Sequence, residues 1–228
     1  MALKHDMESS QKGFYNQEEL MSGLLSPEGK VSTVLNTIGD LIVLNLLTLV
    51  CSIPIFTFGA AFSSMYQILI KIARKEEGRI TGPYFKAFRE NFRKSTIVWL
   101  IGGGISLFIA FDIFLLSKFP FSFSRIYQVI LFILLFLAVM FTLFALVTEA
   151  HFENTVKNTI VNGMKFSVIH ILLSVLVTAL TIAPFLMLRL TLRLLPLFLL
   201  LGYSGPGYVC GLYFSDLFSK YEKENVNE

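Results

Sequence analysis

Between Val31 and Ile70 the chain carries a single formal charge, Asp40, and this forty-residue run constrains the fold more than any other feature. At helical rise it extends about 60 Å, twice the hydrocarbon thickness of a bilayer, so it calls for two crossings. Pro54 removes a backbone donor and disfavours helix at Ile53, which places a tight turn over Ser52–Thr57. Helix 1 is then Val31–Ser52 and helix 2 Phe58–Arg74. Four further runs follow, Thr96–Ser117, Ile126–Thr148, Phe166–Leu188 and Leu195–Phe218. With 54% hydrophobic residues, 15% charged and a mean hydropathy of +0.68, the chain lies outside the range of soluble domains.

The reading is an all-α, polytopic membrane helix bundle of six transmembrane helices, or five if helices 1 and 2 merge or form a re-entrant pair. Residues 1–30 are polar, lack the apolar core of a signal peptide and read as a flexible cytosolic tail. Residues 31–218 form the bundle and 219–228 a polar cytosolic tail. With both termini inside, fifteen Lys and Arg fall on the cytosolic side and four, Lys118, Arg125, Arg189 and Arg193, on the outer side, as the positive-inside rule requires. The Ser52–Thr57 turn then lies outside, and a basic loop over Lys71–Lys94 and another over Glu149–Lys165, either of them a candidate cytosolic docking surface, lie inside. Within the first basic loop, GPYFKAFRENFRKS sets Phe85, Phe88 and Phe92 on one helical face and Lys86, Arg89 and Arg93 on the next. This predicts a short interfacial amphipathic helix between helices 2 and 3, either a lipid-surface helix or a docking face for a cytosolic protein.

Helix 1 carries two polar stripes, one with Asn36 and Asp40 and a roughly opposite one with Asn45, Thr48 and Ser52. Such a helix suits the centre of a bundle. Asp40 reads as a proton, cation or ligand contact, or as a paired or protonated carboxyl that locks helix 1 against its neighbours. Asp112 either pairs with Arg189 and Arg193 or reaches headgroup water while the arginines snorkel. Gly102, Ser106 and Ala110 form a small-residue stripe that permits close packing or self-association. Gly205, Pro206 and Gly207 predict a break in helix 6, which releases carbonyls to other partners.

No metal, cofactor or nucleic-acid site is expected. Glu149, His151 and Glu153 lack the HExxH spacing, and no Walker A loop, GxGxxG fingerprint or CxxC pair is present. Cys51 and Cys210 sit in apolar runs as packing residues. Gly202–Gly205 spell the GxSG of rhomboid-type intramembrane proteases, but no histidine follows Ser204 to serve as base.

Gly39, Asp40, Leu44, Asn45, Cys51–Pro54, Thr57, Gly59 and Ala60 together resemble the first block of the bacterial YesL family. The likeness continues through Tyr66, Lys71, Glu76–Gly78, Phe85, Lys86, Phe88, Asn91, Phe92, Thr96 and Trp99. The resemblance implies a multi-pass protein of the bacterial cytoplasmic membrane with no established activity. It also implies an accessory role beside carbohydrate ABC-transporter subunits, with membrane lipids and those subunits as partners and no catalytic residue of its own. The runner-up expectation is a small solute, ion or proton-coupled transporter using Asp40 and the broken helix 6. A permease subunit fits less well, because EAHFENTVKN from Glu149 starts like the EAA-type cytosolic loop and then departs from it.

Overall fold

The computed structural model describes residues 30–76, 78–118, 124–149, 155–191, 193 and 195–226. Its helices are α1 (Lys30–Cys51), α2 (Phe58–Ala73), α3 (Thr81–Lys118), α4 (Ser124–Glu149), α5 (Val156–Ile169), α6 (Ile171–Leu190), α7 (Leu195–Leu201) and α8 (Ser204–Val226), and no strand occurs among the described residues. Among the described residues, five helical stretches are long and apolar enough to cross a membrane, the last of them Leu195–Ser219 across α7 and α8, or six if α5 and α6 count as one bent span. The protein is an integral membrane protein of the expected all-helical class. Residues 1–40 and 41–228 form separate units, and the packing described here belongs to the second.

The turn after α1 forms where Pro54 demands it. Pro54 is extended (φ −74°, ψ 117°), a single 3-10 turn covers Ile55–Thr57, and α2 begins at Phe58. The buried Thr57 hydroxyl lies within donating distance of the Cys51 carbonyl (2.6 Å) and the Pro54 carbonyl (2.7 Å), which closes the corner. At its far end α2 stops in a Schellman motif. Glu76 N–H donates to Lys71 O at 3.1 Å and Lys75 N–H to Ile72 O at 3.0 Å, with Lys75 left-handed at φ 56°.

α2 runs antiparallel to the first half of α3 at very close range. A Cβ on Gly59 would stand 2.5 Å from the Ser95 carbonyl oxygen. Asn91 Nδ2 donates to Gln67 Oε1 at 3.3 Å, and Trp99 Nε1 donates to the Ile55 carbonyl at 2.9 Å. α3 itself is one helix of 38 residues, so the expected interfacial helix is not a separate element. Pro83 sits in the first turn, where its missing N–H costs nothing, and no proline interrupts the ladder afterwards. The amphipathic segment is the beginning of the same rod whose second half is apolar and exposed, with Leu107 at 72% and Phe108 at 68%, a surface suited to lipid.

α4 lies against that second half, with Gly102 directly under the Thr142 side chain. α5 then packs back on α4. Thr159, Gly163 and Ser167, four residues apart, are its buried face, and a Cβ on Gly163 would come 2.6 Å from Ala145 Cα. The Lys157–Lys165 segment is therefore helix rather than loop, and the expected helix start at Phe166 falls inside α5. The axis turns by 105° between α5 and α6. The other revision concerns the last span. Its break lies at Gly202–Tyr203, before the expected Gly205–Gly207. Pro206 is accommodated in the first turn of α8, and Gly207 N–H makes a regular bond to Tyr203 O at 2.9 Å. α8 continues to Val226, through much of the segment expected as a polar tail.

The core of the second unit joins Leu44 of α1, Phe62, Met65, Tyr66 and Leu69 of α2, Phe144 and Val147 of α4, and Cys210, Phe214 and Phe218 of α8. The Phe214 ring lies 5.4 Å from Phe144 and 6.0 Å from Tyr66, distances at which aromatic pairs add to their area burial. Cys51 and Cys210 are both free thiols, half-buried and buried.

Candidate functional site

The most connected polar group in the second unit is Asn45. Its side chain is fully buried. Nδ2 donates to the carbonyls of Phe198 (3.1 Å) and Leu199 (2.7 Å). Oδ1 accepts from the backbone N–H of Tyr203 (2.8 Å) and Ser204 (3.1 Å). An amide has two donors and two acceptor lone pairs, so every hydrogen-bonding position is used. The partners are two carbonyls near the end of α7 and the N–H groups of Tyr203 and Ser204 at the entry to α8, where a broken helix interrupts the backbone ladder; the Phe198 carbonyl also accepts from Gly202 N–H at 2.9 Å. In a membrane no solvent takes over that role. Asn45 thus supplies from α1 what the α7–α8 break removes. The Ser204 hydroxyl beside it is fully buried and has no hydrogen-bond partner among the described residues, so no base touches it there.

Of the other predicted polar positions on α1, Asn36 is exposed and Asp40 half-buried, both within the first unit. Thr48 is buried and back-bonded to Leu44 O at 2.8 Å, so the stripe that carries Asn45 and Thr48 is the buried one. Ser52 is half-buried, and its hydroxyl has no partner among the described residues. It lies at the edge of a cavity of about 820 Å³ lined by Phe58, Trp99, Gly103, Ser106 and Thr181 among others. Its hydroxyls turn inward: Ser106 donates to Gly102 O at 2.8 Å, Thr142 to Ala138 O at 2.7 Å and Thr181 to Val177 O at 2.7 Å. The wall offered to an occupant is consequently apolar. The predicted small-residue stripe divides its work, Gly102 meeting α4 while Ser106 and Ala110 face this cavity.

At the opposite end of the α3–α4 pair, the Thr159 hydroxyl donates to the carboxylate of Glu149, which is 4% exposed. Lys94, half-buried on α3, acts on the same carboxylate electrostatically. One acidic group therefore ties α4 to α5 and faces α3. The sequence reading, which takes Glu149 as part of a spacing unsuited to metal and as the start of a cytosolic loop, misses this role. The available signal was that Glu149 and Lys94 end the apolar runs of two consecutive antiparallel helices on the same side.

The first half of α3 displays the predicted basic face. Lys86, Arg89 and Arg93 are all exposed, Phe85 and Phe92 remain partly exposed beside them, and Phe88 and Phe92 meet edge to face at 5.5 Å. Lys86 approaches Glu90 at 4.0 Å, a contact worth little on so open a surface. On the far side of the chain, Asp112 is half-buried and Arg193 exposed. No ion pair joins those two among the described residues, and the Arg189 side chain lies outside them.

Residues 41–113 match the family described as a protein of unknown function, DUF624. The matched span holds Asn45, the Pro54 turn and both partners of the Gly59–Ser95 and Trp99–Ile55 contacts that set α2 against α3. No curated protein and no solved structure matches the chain.

Proposed function

We propose that the chain is a YesL-type protein of the bacterial cytoplasmic membrane, both termini cytosolic, that works through protein partners as an accessory component of carbohydrate uptake by ABC-type transporters or of its regulation. It carries out no catalysis of its own. The observation that carries this reading is the exposed basic and aromatic face of Lys86, Arg89 and Arg93 with Phe85 and Phe92, held on the same unbroken helix as an apolar span. A docking face joined rigidly to a membrane span can transmit or receive a change in a partner without chemistry. The DUF624 match over 41–113 overlaps the Gly39–Trp99 stretch on which the YesL likeness rests, and the fifteen-to-four distribution of Lys and Arg supports the orientation.

The competing reading, a transporter built on Asp40 and the broken helix, draws support from the α7–α8 break. However, the Phe198 and Leu199 carbonyls there are engaged by Asn45. The test is purification of the tagged protein from native membranes in mild detergent, beside a Lys86→Gln, Arg89→Gln, Arg93→Gln variant. Sugar-transporter subunits recovered with the parent chain and lost with the variant are the expected result. If the protein comes alone, and Asp40→Asn abolishes solute flux in reconstituted vesicles without loss of folded protein, the transporter reading replaces this one.

A further inference from the structure

A second cavity lies where α5 turns into α6. α5 ends at Ile169, α6 begins at Ile171, and His170 between them adopts φ −109°, ψ 50°. The bend is held from inside. Ser174 Oγ is within donating distance of the Ser167 carbonyl at 3.0 Å and the His170 carbonyl at 3.2 Å. His170 N–H still bonds Phe166 O at 2.9 Å. The elbow is therefore built rather than frayed. Against it α8 sets Tyr213, Asp216 and Leu217, which at i, i+3 and i+4 share one helical face. The result is a crevice of about 680 Å³, within the usual size for a small-molecule site.

Its lining combines three polar groups, His170, Tyr213 and Asp216, with aliphatic wall from residues such as Leu172, Leu176 and Leu217, and among the described side chains includes no Lys or Arg. Asp216 lies three residues before the end of the Leu195–Ser219 stretch, which is long and apolar enough to span a membrane. An exposed carboxylate at the margin of an apolar span attracts a cationic group. Tyr213, one turn before it, is 59% exposed and offers a ring face, and a carboxylate beside an open aromatic ring is the arrangement that holds an ammonium group. The aliphatic remainder fits hydrocarbon.

We propose that this crevice binds a membrane lipid with a primary ammonium head. The ammonium sits between the Asp216 carboxylate and the Tyr213 ring, His170 lines the head region, and an acyl chain lies along Leu172, Leu176 and Leu217. Charge complementarity selects the head and the apolar wall selects an anchored amphiphile over a free amine.

The test uses the full-length protein in detergent, titrated separately with dioleoylphosphatidylethanolamine, dioleoylphosphatidylglycerol and free ethanolamine, with bound adducts counted by native mass spectrometry. The phosphatidylethanolamine adduct is expected to form at the lowest concentration, and Asp216→Asn to weaken it by about tenfold, the size of one lost charge-assisted contact. Asp216 is exposed, so this variant leaves the packed core intact. Leu172→Trp, at a site 85% exposed on the crevice wall, serves as the second variant and should weaken the same adduct by obstructing the chain while keeping the carboxylate. Equal binding of the two phospholipids, or undiminished phosphatidylethanolamine binding by both variants, overturns the site. Binding of free ethanolamine as tight as that of the lipid overturns the lipid assignment.

Discussion

Trp99 Nε1 donates to the Ile55 carbonyl at 2.9 Å, and this bond sets the position of the first hairpin's turn along α3. Trp99 is five residues beyond Lys94 and nineteen before Lys118. At helical rise the turn is about 28 Å from the far end of α3, nearly a whole hydrocarbon thickness. If the apolar half of α3 crosses the bilayer, the Ser52–Thr57 turn and the Lys118 end cannot share a face. Whether the first hairpin crosses fully or is re-entrant is then decided by which face each of these two ends meets.

Cysteine labelling checks that placement. In a background of Cys51→Ser and Cys210→Ala, single cysteines replace Ile55 and Lys118 in turn, and sealed vesicles of known orientation are treated with a membrane-impermeant maleimide. Lys118→Cys should react from one face and Ile55→Cys should not react from that same face. Equal labelling of both from one side contradicts the depth that the Trp99 bond assigns.

Asn45→Leu should be among the most damaging single changes in the second unit. It fills similar volume but removes the side-chain partner of the Tyr203 and Ser204 N–H groups and of the Leu199 carbonyl, while the Phe198 carbonyl keeps its bond from Gly202 N–H. An unsatisfied buried group costs about 1–3 kcal/mol, and neighbouring losses do not add fully, so a net loss of about 3 kcal/mol is expected. Thermal unfolding in detergent measures it. A variant as stable as the parent means that the α7–α8 break satisfies itself without Asn45.

Glycine substitutions should separate into two groups. Gly59→Ala and Gly163→Ala each put a methyl 2.5–2.6 Å from backbone atoms of a facing helix, so each should cost about 1–3 kcal/mol as the helices move apart. Gly104→Ala, with nothing within 4 Å, should be neutral or slightly stabilising because alanine is the better helix former. Equal effects at the three positions, read as shifts in Tm, refute the close packing of α2 on α3 and of α5 on α4.

Lys75 tests the end of α2. It holds the left-handed position of a Schellman motif, φ 56°, where a side chain is strained and glycine is not. Lys75→Gly should raise stability by about 0.5–1 kcal/mol, whereas Lys75→Val should lower it. A loss of stability in the glycine variant means that the motif is not formed.

What the sequence made legible followed from strong local signals. The uncharged run and Pro54 located α1, the turn and α2 to within a residue or two, and α4 was equally plain. Weaker signals failed where tertiary contacts decide. α5 reads as a polar loop because Lys157, Asn158, Asn162 and Lys165 interrupt it, yet its buried face needs only the small residues Thr159, Gly163 and Ser167, which carry no hydropathy signal. The last break was assigned to the Gly205–Pro206–Gly207 triplet because proline is the usual cause. A proline in the first turn of a helix removes no bond, and the distant Asn45 makes the break at Gly202–Tyr203 tolerable. Asn45 itself stood out as polar in an apolar helix. Its partners, more than 150 residues away, could not be read from spacing.

The Glu149 junction yields the last prediction, in which two couplings through one carboxylate are compared. Thr159 donates to it from within the packed interface of α4 and α5, whereas Lys94 acts on it at longer range from a half-buried position on α3 where solvent screens the attraction. A buried hydrogen bond to a charged group is worth about 1.5–3 kcal/mol and a partly exposed ion pair below about 1 kcal/mol. Two double-mutant cycles separate them, Glu149→Leu with Thr159→Val and Glu149→Leu with Lys94→Met, each read from unfolding in detergent. The Thr159 coupling should exceed the Lys94 coupling, and only the Lys94 coupling should shrink as salt is raised. The reverse order makes the junction an α3–α4 ion pair and leaves α5 held by its small-residue face alone.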